Sequence, residues 1–216
     1  MARDIVSAPT AEYLKRHSTA PDAVQQQLIE RTAALGPWSG MQIGTEQGAF
    51  LQILVAAIRP QLAVEIGTFT GYSSLAIARG LPDGGRLVCC DISEEWTAIA
   101  REHWDLAGVS DRVELRIGPA AETVVDIAAG QPVDFAFIDA DKTGYLGYYE
   151  ALLPRMSDHG VIAVDNTLWG LAVMDDSDTS DDTVALREFN ATVANDDRVM
   201  VSQLPVGDGV TLIQRR

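Results

Sequence analysis

Apolar positions along the chain change their period near Gln61. Before it, Tyr13-Leu14, Val24, Leu28-Ile29 and the run 50–58 recur at helical spacing, and Pro21-Asp22 supplies a helix start, so residues 1–60 read as helical. After it, short runs rich in Val, Ile and Phe alternate with longer amphipathic stretches. The runs predict strands at 62–66, 86–90, 113–117, 133–138 and 161–164, and the stretches predict helices around 74–79, 94–107, 122–128 and 145–153. Such alternation implies right-handed crossovers and a Rossmann-like, mostly parallel sheet with helices on both faces. The ending differs. After a helix around 183–194, the runs 199–204 and 210–214 are joined only by Pro205-Val206-Gly207-Asp208-Gly209, too short for a helical crossover, which predicts an antiparallel hairpin at the sheet edge. The chain therefore reads as one domain, a helical extension (1–60) on an α/β core (61–216).

Composition narrows the function classes. A chain of 216 residues with 47% hydrophobic and 22% charged residues is long and apolar enough to bury its own core. Sixteen Lys and Arg against 31 Asp and Glu give a net charge of −15, a field that repels polyanions and argues against nucleic-acid and anionic-membrane partners. The beginning of the chain, with Arg3 beside Asp4, lacks an apolar leader, and no run reaches the ~18 apolar residues of a spanning helix. Cys89 and Cys90 are neighbours in a predicted strand, facing opposite ways, without metal-ligand spacing; they read as reduced thiols of a cytoplasmic protein.

The acids carry the chemistry. Glu65, Asp91, Asp139 and Asp165 each fall at a predicted strand end, where an open parallel sheet forms its ligand crevice, so all four are expected to converge on one cleft. The first turn, Glu65-Ile66-Gly67-Thr68-Phe69-Thr70-Gly71-Tyr72-Ser73, lets the backbone approach a ligand but lacks G-x-G-x-x-G, favouring a nucleoside without a pyrophosphate. Asp91 sits where an acid after the second strand accepts ribose hydroxyls. Phe137-Ile138-Asp139-Ala140-Asp141-Lys142 and Val164-Asp165-Asn166-Thr167-Leu168-Trp169 place two carboxylates and an amide at neighbouring strand ends, an oxygen set suited to Mg²⁺, Mn²⁺ or Ca²⁺ rather than zinc. Lys142 can reach the same pocket as a base.

Together the segments G-T-E-Q-G-A-F-L, V-E-I-G-T-F-T-G-Y-S, F-I-D-A-D-K, V-D-N-T-L-W and L-P-V-G-D-G-V-T resemble those of the cation-dependent O-methyltransferases, the group of caffeoyl-CoA and catechol O-methyltransferases, from about Met41 to Arg216. The resemblance implies that Glu65, Gly67, Thr68, Ser73, Asp91 and Ala120 contact S-adenosylmethionine, that Met41 and Ile43 close over it, and that Asp139 and Asp141 border its amino-acid end. It further implies a divalent metal on Asp139, Asp165 and Asn166, Lys142 as general base, and an aromatic acceptor against Trp169, Lys142, Asp139 and Asn166. A homodimer is the implied assembly. Plant relatives carry a polar residue in place of Ile43 and a substrate-touching Asn in place of Gly170; with the acidic segment 175–182 near the mouth, this favours a small catechol or polyphenol over a polyanionic thioester.

His17, His103 and His159 are scattered and read as surface residues. Gly71-Tyr72-Ser73-Ser74-Leu75 lacks the second glycine of a nucleophile elbow. Asp176 to Arg187 fails as a calcium loop because Asp181 stands at its sixth position and Arg187 at its twelfth; it reads as a mobile, solvated loop. Two other readings compete: an NAD(P)-dependent oxidoreductase, and a non-catalytic nucleoside- or metal-binding module.

Overall fold

A computed structural model of the chain describes residues 5–127 and 131–216; the Arg3-Asp4 pair and the last residue of the helix expected at 122–128 lie outside the described residues. Seven strands form one sheet in the order β3-β2-β1-β4-β5-β7-β6, where β1 is Leu62–Ile66, β2 Arg86–Asp91, β3 Val113–Ile117, β4 Val133–Ile138, β5 Met156–Val164, β6 Val199–Leu204 and β7 Val210–Arg215. The first five run parallel and the last two are antiparallel, as the turn chemistry between them requires. Strand order reverses between β1 and β4, and the carboxyl ends there open into a cleft. β1 and β4 are buried throughout and mainly apolar, each carrying one buried acid, Glu65 and Asp134.

Among the described residues there are eight α-helices: α1 Ala8–Arg16, α2 Ala23–Ala33, α3 Thr45–Ile58, α4 Tyr72–Gly80, α5 Glu94–Leu106, α6 Ala120–Ile127, α7 Tyr145–Leu152 and α8 Asp181–Ala194. One face packs Leu28, Leu51, Leu75 and Trp104 from α2 to α5 against Phe135 and Phe137. The other packs Val124, Tyr145, Tyr149 and Phe189 from α6 to α8 against Ile138 and Val164. The predicted start at Pro21-Asp22 is a capping box: Asp22 accepts from the Gln25 N–H at 2.9 Å and the Gln25 side chain accepts from the Asp22 N–H at 3.2 Å. α1 buries nothing and leaves Tyr13 and Leu14 exposed.

Two expectations are corrected. His103 is 1% exposed, its Nδ1 on the Ile99 carbonyl at 2.8 Å, because α5 turns that face onto the sheet. The stretch from Asp176 to Arg187, expected as a loop throughout, is an exposed loop only to Ser180: from Asp181 it forms α8, whose Arg187 bonds back to it as described below. Among the described residues no helix is long and apolar enough to cross a membrane.

Candidate active site

The cleft encloses about 770 Å³ between the first turn, the ends of β2, β4 and β5, and the segment before α3. Gly67 (φ +88°) and Gly71 (φ +91°) shape the first turn; a side chain on Gly67 would strike the Asp139 carbonyl, and one on Gly71 would lie 2.5 Å from the Ala100 side chain. Asp91 organises this turn, accepting from the Thr68 and Phe69 N–H groups at 2.8 Å each and from Ser93 at 2.8 Å. Met41, Ile43, Ser73 and Ala120 line the same lobe, with Phe69 and Trp96 in edge contact at 5.1 Å.

The structure divides the four strand-end acids. Asp91 and Asp139 line the cleft, whereas Glu65 and Asp165 lie beneath it, 0% and 2% exposed. Both Glu65 oxygens and the Thr68 hydroxyl are buried without a hydrogen-bond partner, orphaned polar atoms directly under the first turn that suit a polar ligand group reaching down from the cleft. Burial pushes the Glu65 carboxyl up to about 7, with partial relief from nearby Ser73, Thr68 and Cys89. Between its ordinary value and that raised one, the folded chain holds a proton the unfolded chain has lost, so stability falls as pH rises through this window. Glu65→Gln is therefore expected to melt above wild type at pH 8 by several degrees, the gap closing by pH 5; a pH-independent gap in thermal melts would contradict it.

On the other lobe, Asp139, Asp165 and Asn166 follow paired strands, Ile138 opposite Val164. Asp165 accepts from the Asn166 N–H at 2.7 Å, and Asn166 adopts a left-handed conformation (φ 56°). Burial first, then the neighbouring Asp139 carboxylate, push Asp165 well above the usual carboxylate range. Lys142 is 8% exposed, and its three ammonium donors meet three acceptors: Asn166 Oδ1 at 2.6 Å, Tyr145 Oη at 2.7 Å and Asp139 Oδ1 at 3.1 Å. Its Nζ also lies 5.6 Å from the Trp169 ring centre. Among the described residues no three His, Cys, Asp or Glu side chains gather for a metal, so the candidate set depends on the Asn166 amide. Two mutually repelling carboxylates and an amide oxygen fit a hard divalent cation.

Three contributors escaped sequence reasoning. Tyr148 donates to Asp141 at 2.6 Å, Tyr145 receives Lys142, and Asp208 accepts from the Gly170 N–H at 2.6 Å. The tyrosines fall within the helix expected at 145–153 and Asp208 within the loop 205–209, where the pattern alone does not separate a site residue from its neighbours. Beyond Asn166 the chain enters a 3₁₀ segment, Trp169–Met174, in which Trp169, Gly170 and Leu171 all have positive φ. Such strain needs bracing. Arg187 of α8 provides it, bonding the Ala172, Val173 and Asp178 carbonyls at 3.0, 3.0 and 2.8 Å and that of Asp175 as well. The residue that ruled out a calcium loop is thus the cation that clasps it.

The O-methyltransferase family description matches residues 15–216. The chain is 38% identical over 207 residues to Probable caffeoyl-CoA O-methyltransferase 2 of Dictyostelium discoideum, covering 94% of this chain and 90% of that one. It is 38% identical to Caffeoyl-CoA O-methyltransferase 2 of Zea mays, covering 90% and 77%. The O-methyltransferase from Bacillus cereus, solved in complex with SAH, superposes with a TM-score of 0.88 at 31% identity over 96% of this chain and 97% of that one.

Proposed function

This chain belongs to the O-methyltransferase family and is a S-adenosylmethionine-dependent O-methyltransferase of the caffeoyl-CoA type; we propose that it acts on a hydroxyl of a small catechol or polyphenol, with a divalent cation on Asp139, Asp165 and Asn166 and Lys142 as base. The carrying observation is the convergence of Lys142 with Asp139 and Asn166 in one cleft beside the first turn. S-adenosylmethionine supplies an electrophilic methyl on a sulfonium. The cation would supply positive charge that favours the catecholate at neutral pH. Asp91, the Gly67 turn and Ala120 hold the nucleoside, with Met41 and Ile43 over it and Asp141, fixed by Tyr148, toward the amino-acid end. Lys142, as the base, takes the acceptor's hydroxyl proton, while Trp169 fixes the ring plane. Positioning of this kind contributes on the order of 7–11 kcal/mol to lowering a two-reactant barrier.

Charge selects the acceptor. Lys142 is the one Lys or Arg among the lining residues, whereas Asp141, Asp182 and Asp208 also line the cleft, an environment that disfavours a polyanionic tail. Buried Cys89 and Cys90, and the exposed Ile53 of α3, favour the remainder of the reading, a cytoplasmic homodimer. Methyl transfer to simple catechols is expected with Mg²⁺, to disappear with EDTA, and to exceed transfer to caffeoyl-CoA in kcat/KM. Full activity in EDTA removes the cation, and a preference for caffeoyl-CoA removes the small acceptor.

A further inference from the structure

Lys142 and Tyr145 are three residues apart across the 3₁₀ turn that opens α7, a spacing that brings the two side chains to one face. Tyr145 is fully buried, its ring set edge-on to Phe189 at 5.8 Å. Its hydroxyl donates to the Asp165 main-chain carbonyl at 3.2 Å, which commits the hydrogen and leaves the oxygen lone pairs facing Lys142 Nζ at 2.7 Å. The other two acceptors of that amine, Asp139 and Asn166, belong to the candidate cation set. Tyr145 is the acceptor outside it.

We propose that Tyr145 is the positioning residue of this site: its phenol oxygen, anchored on the Asp165 carbonyl, fixes the Lys142 amine against the acceptor hydroxyl once the cation has engaged Asp139 and Asn166. The inference rests on Lys142 acting as base. Because one phenol oxygen serves both the amine and the main chain of a candidate ligand, the amine and the cation set keep a constant spacing.

Tyr145→Phe keeps the ring and removes the oxygen. Its kcat with catechol is expected to fall about 10–100-fold, the loss of one hydrogen bond to a charged group. KM for both substrates and Mn²⁺ affinity, read by electron paramagnetic resonance, stay within about twofold of wild type. In a Lys142→Met background the same change is expected to cost nothing further, since the phenol acts through the amine. Should Tyr145→Phe not fold, 3,5-difluorotyrosine at position 145, a weaker acceptor of unchanged shape, is expected to lower kcat by a smaller factor. Wild-type kcat in both Tyr145 variants overturns the proposal, as does an equal loss with and without Lys142, or a collapse of Mn²⁺ affinity. Wild-type kcat in Lys142→Met alone removes the base reading instead, a separate result.

Discussion

Replacing Lys142 by methionine is expected to lower kcat by about 10²–10⁴-fold while S-adenosylmethionine binds as before, since proton removal by a placed base contributes that much. Methionine keeps the length and the contact with Trp169 but leaves Asn166 Oδ1, Tyr145 Oη and Asp139 Oδ1 without their shared donor. Asn166 and Tyr145 lie outside the Gly67 turn while Asp139 borders it, so calorimetric titration of the cofactor separates chemistry from binding. Turnover within threefold of wild type at saturating substrates would refute the assignment.

The second large effect is at Asp165. Asp165→Ala is expected to weaken Mn²⁺ or Mg²⁺ binding by at least about 100-fold, more than the loss that follows removal of a group supporting a metal ligand. Asp165 is 2% exposed, close to Asp139, and its ionised form is disfavoured until a cation offsets the repulsion. Millimolar Mg²⁺ should then raise the melting temperature of wild type and leave that of the variant unmoved. An equal Mg²⁺-dependent rise in both proteins would dismiss Asp165 as a ligand. The variant also strips the acceptor from the Asn166 N–H, so turnover is expected to vanish even where excess cation is supplied.

The strands at 62–66, 113–117, 133–138 and 199–204 were legible to the residue because burial on both faces, or a short paired edge, leaves a pattern local to each run. β5 starts at Met156 rather than 161 because Met156 pairs with Val133 before the register shifts; the polar Ser157, Asp158 and His159 hid that start. Period two accounts for Glu65, the penultimate residue of β1, which faces away from Ile66, but not for Asp165, which follows its strand end as Asp139 does and is still 2% exposed. The cleft residues within motifs were legible because each lies beside its strand end. His103 was misjudged because a polar helix conceals which stripe the sheet will cover, and Arg187 because four carbonyl partners have no signature in side-chain sequence.

The guanidinium of Arg187 grips four main-chain oxygens between Ala172 and Asp178, and the carboxylates of Asp175 and Asp178 fix the turns around it, accepting from Ser177 and Ser180. Exposed positions outside those bonds, such as Met174 and Asp176, can change while the path of the backbone persists. A rim of this kind separates shape from surface: what it displays can be rewritten while the architecture beneath is inherited unaltered.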